Sequence, residues 1–201
     1  MPDLFLMRHG QSTYNLENRF TGELDVPLSS QGIEEAKAAA QKLKEYKIDI
    51  AFTSNLKRAI ETLQIIVTAE KDRPLPMVKN EALNERNYGE LQGLNKAETI
   101  IKYGDVQVAL WRRSYNERPP GGESLKDTEA RVMPYFNDII GERLKQGLNV
   151  LIVAHGNSLR SIVKNLDSIN DIDIVNLNIA TGIIYHYQFD KDLKIMNKKI
   201  I

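Results

Sequence analysis

Asp3-Leu4-Phe5-Leu6-Met7-Arg8-His9-Gly10-Gln11-Ser12 is an apolar run of strand length that stops in a cation, an imidazole and a glycine. A buried-strand pattern running straight into Gly marks a strand that opens into a turn. Arg8 and His9 are therefore expected at the carboxyl end of that strand, where open α/β sheets keep their ligands. The design recurs far along the chain in Asn149-Val150-Leu151-Ile152-Val153-Ala154-His155-Gly156-Asn157-Ser158. If the two strands are neighbours in a parallel sheet, His9 and His155 face each other across one pocket. A single His-Gly dipeptide says little, because a histidine at a strand end is commonly a hydrogen-bonded structural residue. Two of the chain's three histidines in the same context, one of them preceded by Arg, point to a site instead. Metal ligation would want further His, Cys or carboxylate ligands at ligand spacing. The chain has no Cys and no H-x-x-x-H, so no metal is expected.

Between these two strand ends the pattern alternates strands with amphipathic helices. Pro27-Leu28-Ser29-Ser30 opens a helix with Ser29 at its N-cap and Ile33, Ala36, Ala40 and Leu43 on one face. Asp49 to Thr53 reads as a short strand. The helix after Ser54 carries Leu56, Ile60, Leu63 and Val67 as its apolar stripe, with Arg58 in the first turn. A cation there opposes the helix dipole unless an anion sits nearby, and helix N-termini bind anions readily. Glu81 to Lys96 reads as a structured loop, and short helices follow through Ile100 and Trp111. Glu117 to Gly122 is a break. Ser124 caps a long helix with Val132, Phe136, Ile139, Ile140 and Leu144 buried, in which Pro134 predicts a kink or a late start. A short helix over Asp171–Leu177 and two closing strands, Gly182–Phe189 and Leu193–Ile201, complete the chain; His186 in the first of these is read as structural.

This alternation implies an α/β fold, a mostly parallel central sheet flanked by helices. The helix-rich middle, from Glu81 through Tyr115 and on to about residue 123, is expected to form a cap of helix and loop over the carboxyl edge of the sheet. The 201 residues suit one sizeable core, and residues 1–201 are read as a single domain. A 42% hydrophobic and 27% charged composition with zero formal net charge lacks the broad basic surface of a nucleic-acid binder. An anion site must come from local clustering of Arg and Lys. No run reaches the length of a membrane span, the start lacks the pattern of a signal peptide, and the absence of Cys fits a cytoplasmic protein.

The chemistry follows from the residue types. If Arg8, His9, Arg58 and His155 converge, they surround a small anion with cationic or donor groups. One imidazole can then attack phosphorus while the others neutralise the spreading charge. The attacking nitrogen must be unprotonated, its partner nitrogen holding the proton against a backbone carbonyl. A carboxylate can move the proton of a substrate hydroxyl. Composition alone does not choose Glu85 over Glu81 or Glu90 for that task. Ser12, Asn15, Thr21 and the Gly22 amide are candidate ligands for anionic oxygens. The adjacent Arg112 and Arg113 suit a small molecule carrying phosphate and carboxylate.

Leu6-Met7-Arg8-His9-Gly10-Gln11-Ser12 resembles the signature of the histidine phosphatase superfamily. Asn15–Gly22, Glu85–Lys96, Trp111–Tyr115, His155–Arg160 and Leu177–Gly182 are similar to the motifs of the cofactor-dependent phosphoglycerate mutases within it, nearly end to end. The Arg-His-Gly element marks only the superfamily, whereas Tyr88–Lys96 and Trp111–Tyr115 are far more specific. The resemblance implies the phosphoglycerate mutase-like fold, with His9 as the phosphorylated nucleophile and Glu85 as general acid/base. It implies that Arg8, Arg58 and His155 hold the transferring phosphoryl group. Ser12, Asn15, Thr21, Gly22, Tyr88, Lys96, Arg112, Arg113, Gly156 and Asn157 would contact substrate. The implied reaction interconverts 3-phosphoglycerate and 2-phosphoglycerate, primed by 2,3-bisphosphoglycerate; the alternative is hydrolysis of small phosphomonoesters through the same phosphohistidine. Small phosphoglycerates are the expected partners, with no nucleic acid and no membrane. Many such mutases carry a longer insertion after the Trp-Arg-Arg-Ser-Tyr motif and a longer tail. Here only Asn116 to Gly122 stands in that place, which leaves homo-oligomer and monomer both open.

Overall fold

A computed structural model describes residues 1–69 and 75–201. Strand β1 (Asp3–Arg8) is followed by a short helix α1 (Thr13–Leu16), helix α2 (Ser30–Leu43), strand β2 (Ile50–Thr53), helix α3 (Lys57–Ala69) and strand β3 (Met77–Lys79). Two 3₁₀ turns, Glu81–Leu83 and Gly89–Leu91, lead to α4 (Lys96–Tyr103) and α5 (Asp105–Arg113). Then come α6 (Leu125–Tyr135), a π turn over Phe136–Ile140, and α7 (Gly141–Lys145). Strand β4 (Val150–Ala154), α8 (Gly156–Leu166), a 3₁₀ turn at Asp173–Asn176, β5 (Ile184–Phe189) and β6 (Ile195–Ile200) close the chain.

The strands form one sheet in the order β3-β2-β4-β1-β5-β6. The first four are mutually parallel, and β5 and β6 add an antiparallel edge. The two strands that end in His-Gly are direct neighbours, Leu4 opposite Val150 and Arg8 opposite Ala154. One further ladder bond, from the His9 amide to the Ala154 carbonyl at 3.0 Å, carries the pairing to the strand ends. Because side chains alternate faces along a strand, β1 splits its apolar residues between two cores. Leu4 and Leu6 pack with Val132, Phe136, Leu159 and Ile162 under α6 and α8. Phe5 and Met7 pack with Ala39, Ala40, Leu43, Leu63 and Ile66 under α2 and α3. Burial on both faces is why these strands read as continuous apolar runs.

Two glycines bring the His9 turn down onto α2. A β-carbon on Gly10 would lie 2.2 Å from the Gly32 carbonyl oxygen, and one on Gly32 would lie 2.0 Å from that of Gln11. Neither backbone leaves room for a side chain. Over the carboxyl ends of the parallel strands lies the segment from Glu81 to Arg113, whose Leu91, Val108 and Trp111 form a small core with Phe20 from the loop after α1.

Three local expectations are corrected. The inward face of α3 is Arg58, Ala59, Thr62, Leu63 and Ile66, with Ile60 and Val67 only half-buried. The helix is turned to bring Arg58 and Thr62 inside, where Thr62 Oγ1 accepts from the Gly10 amide at 3.0 Å and donates to the Arg58 carbonyl at 2.7 Å. On α2, Ile33 faces out and Gly32 faces in, against the His9 turn. Pro134 does not delay α6, which starts at Leu125 on a Ser124–Asp127 capping box. The proline lacks an amide hydrogen and crowds the preceding turn, and the wider π turn follows directly after it. The extra residue in that turn swings Ile139 out to 44% exposure while Phe136 and Ile140 stay buried.

Candidate active site

The two strand ends meet as one unit. The rings of His9 and His155 stand with centroids 4.9 Å apart, tilted by 59°. Both are buried. His9 Nδ1 lies 2.7 Å from the Gly10 carbonyl oxygen. A carbonyl cannot donate, so the proton is on Nδ1 and Nε2 carries the lone pair. Burial, then the charges of Arg58 and Arg8, holds His9 well below its ordinary 6.5, so the ring is neutral and nucleophilic at neutral pH. His155 is held low in the same way, by burial first and then by Arg58, His9 and Arg8.

Arg58 reaches this pair from the first turn of α3. Its Nε points to His9 Nε2 at 3.3 Å, and its Nη1 and Nη2 donate to the carbonyls of Leu24 (3.0 Å) and Gly22 (2.7 Å). Burial lowers it to about 10, which still leaves it charged at neutral pH. Arg8 is anchored by Nη1 on the Ile179 carbonyl at 2.7 Å, while its buried Nε has no partner among the described residues.

Glu85 is held asymmetrically. Its Oε1 accepts the amides of Arg86 and Asn157, both at 2.9 Å. Two donors on one oxygen leave Oε2 as the free proton carrier. That oxygen faces Gly156 and Arg8: a β-carbon on Gly156 would stand 3.5 Å from it and 3.6 Å from Arg8 Cζ.

Beside the imidazoles a cavity of about 110 Å³ is lined by Arg8, Glu85, Tyr88, Lys96, Arg112, Arg113, Gly156, Asn157, Arg160, Asn178 and Ile179. A smaller one of about 60 Å³ shares Arg8, Glu85, Tyr88 and Lys96 and adds Asn15, Arg19, Phe20, Thr21 and Gly22. Crowding of cations shows in the titration of the lining: burial, then Arg112, lowers both Lys96 and Arg113. Such a hollow suits a small, multiply charged anion. The Thr21 hydroxyl in it is buried without a partner among the described residues.

Eleven of the residues singled out from the sequence line one or both cavities: Arg8, Asn15, Thr21, Gly22, Glu85, Tyr88, Lys96, Arg112, Arg113, Gly156 and Asn157. His9, His155 and Arg58 form a contacting cluster that Arg58 joins to the Gly22 carbonyl. Ser12 lies apart. It is fully buried and caps α1, its hydroxyl exchanging hydrogen bonds with Asn15. Reading from sequence missed Arg160 and Asn178. Arg160, on the second turn of α8, ties Asn157 Oδ1 (3.0 Å) to the Arg113 carbonyl (2.9 Å), and Asn178 Oδ1 holds the Arg113 fork at 3.3 Å. Both lie in segments that carried the family motifs, which is the signal that could have found them. His186 stays structural, stacked on Phe5 at 4.4 Å and 3.1 Å from Asp3.

A sequence profile described as Histidine phosphatase superfamily (branch 1) matches residues 4–198. A 2,3-bisphosphoglycerate-dependent phosphoglycerate mutase of Cytophaga hutchinsonii is 54% identical over 193 residues, 96% of this chain and 90% of its own length. One from Lactiplantibacillus plantarum is 48% identical, covering 99% of this chain and 98% of its own. Among solved structures, a mycobacterial glucosyl-3-phosphoglycerate phosphatase complexed with VO3 superposes with a TM-score of 0.86 at 25% identity, over 100% of this chain and 97% of that one. The buried imidazole pair, its arginines and these likenesses lead to one conclusion: the chain belongs to branch 1 of the histidine phosphatase superfamily, in the family of 2,3-bisphosphoglycerate-dependent phosphoglycerate mutases.

Proposed function

We propose that the chain interconverts 3-phosphoglycerate and 2-phosphoglycerate through a phosphohistidine at His9. The observation that carries this reading is the lone pair on His9 Nε2, set by the Gly10 carbonyl and faced by Arg58. When bound, 2,3-bisphosphoglycerate supplies the phosphoryl group that loads His9. The residues fit such a ligand: five cations, Arg8, Lys96, Arg112, Arg113 and Arg160, line the hollow and match two phosphates and a carboxylate.

In each half-reaction the chain's own groups divide the work. His9 Nε2 forms the N–P bond as the P–O bond to the sugar acid breaks, and the Glu85 carboxyl gives its proton to the departing oxygen. In reverse, Glu85 Oε2 takes the proton of the acceptor hydroxyl as that oxygen attacks phosphorus and His9 leaves. Arg8, Arg58 and His155 meet the charge that spreads over the three phosphoryl oxygens. Arg112, Arg113, Lys96 and Tyr88 hold the carboxylate and the second phosphate, with Asn15, Thr21, Gly22, Gly156 and Asn157 completing the walls. We assign Ser12 a role through α1 and Asn15. Residues 1–201 act as one unit with 81–123 as its cap.

A coupled assay for 2-phosphoglycerate tests the reaction. Isomerisation that rises with added 2,3-bisphosphoglycerate is expected; inorganic phosphate released without isomerisation would make the chain a phosphatase that uses the same histidine.

A further inference from the structure

Ser54 joins β2 to α3 and lies fully buried. Its Oγ accepts the Leu56 amide at 3.1 Å and stands 2.7 Å from His155 Nε2. A hydroxyl has one proton and two lone pairs. The Leu56 amide takes one lone pair. If a ring N–H took the other, the buried hydroxyl proton would be left with no acceptor among the described residues, so the proton is assigned to the short contact with the ring. On the ring's other side, His155 Nδ1 is buried and has no partner among the described residues. The neighbouring His9 has its tautomer fixed by a carbonyl; His155 needs a different device because its hydroxyl neighbour could play either role.

We propose that Ser54 is a positioning residue for phosphoryl transfer: its hydroxyl donates to His155 Nε2, fixes the ring as the Nδ1–H tautomer, and so makes His155 a hydrogen-bond donor toward the phosphoryl oxygens. The two imidazoles then have opposite tasks set by opposite neighbours. His9 presents a lone pair and His155 presents an N–H. Burial and the nearby guanidinium groups keep His155 neutral, so the direction of its single proton decides what it can do. The proposal rests on the phosphoryl-transfer reading for its purpose, but not for its geometry.

The test is long-range ¹H–¹⁵N imidazole spectroscopy of the full chain at neutral pH, with His155 assigned by its loss in His155→Gln. The native protein is expected to show a protonated Nδ1 and an unprotonated Nε2 at His155, and Ser54→Ala a mixture of tautomers. Ser54→Ala is also expected to bind orthovanadate about tenfold more weakly, the worth of one charge-assisted hydrogen bond. In the His155→Gln background the serine substitution should add no further loss. A proton on Nε2 in the native protein, or an unchanged tautomer in Ser54→Ala, would overturn the proposal. So would an additive loss in the double variant, which would place the effect on α3 and Arg58 instead. If Ser54→Ala does not fold, the native spectrum decides alone. A chain that neither isomerises phosphoglycerate nor takes up a phosphoryl group, yet keeps the Nδ1–H tautomer, would refute the proposed reaction and leave the tautomer assignment standing.

Discussion

At His9 one neighbour settles the chemistry, and that neighbour is the next peptide in the chain. The Gly10 carbonyl takes the Nδ1 proton, so the lone pair has nowhere to be except Nε2. Burial and the two arginines then keep a second proton off. In the unfolded chain both buried imidazoles return to about 6.5. Groups whose folded value is depressed bind protons more readily when unfolded, so native stability is lost as pH falls below about 6.5 and the loss continues toward the folded values. Urea midpoints measured from neutral to mildly acidic pH should fall, with a shallower slope in His155→Gln. A midpoint that rises toward acid would contradict the buried neutral pair. Reading the residues alone left the choice among Glu81, Glu85 and Glu90 open, because carboxylates in a loop look alike until folding brings the Arg86 and Asn157 amides to one of them.

Elements were legible where burial alone decides them. The two strands ending in His-Gly stand out because both faces of β1 and β4 are covered and the apolar run is unbroken. Their adjacency could only be posed as a condition; the ladder from Leu4–Val150 to Arg8–Ala154 meets it. The rotation of α3 was not legible. Its apolar spacing points to Leu56, Ile60, Leu63 and Val67, but Arg58 is pulled inward by the Gly22 and Leu24 carbonyls and Thr62 by the Gly10 amide. Periodicity assumes that polar residues seek water, and a site overrides that assumption wherever folded partners satisfy them. The same reasoning explains Gly32, whose inward place follows from a backbone approach that no hydropathy pattern encodes.

Across the whole molecule, zero formal net charge conceals a strong local field, because Arg8, Lys96, Arg112 and Arg113 converge on one hollow between sheet and cap. The segment from Glu81 to Glu123 is tied to the helices packed on the sheet: the Asn157 amide donates to Glu85 Oε1, Arg160 Nη2 to the Arg113 carbonyl and Arg131 Nη2 to the Glu85 carbonyl, each at 2.9 Å. We propose on this basis that cap and sheet unfold together. The chain's single tryptophan, Trp111, lies in the small core that the cap shares with Phe20 and provides the probe. Its fluorescence and the far-ultraviolet circular dichroism of the whole chain should trace one coincident urea transition. Earlier loss of the Trp111 signal would make the cap a separate unit.

The central claim is that a phosphoryl group rides on His9. Incubation with ³²P-labelled 2,3-bisphosphoglycerate, followed by acid and alkali treatment and peptide mapping, tests it most directly. The expected label is acid-labile, alkali-stable, carried by the peptide containing His9, and gone in His9→Ala. Label that survives acid, maps elsewhere, or persists in His9→Ala would contradict the account.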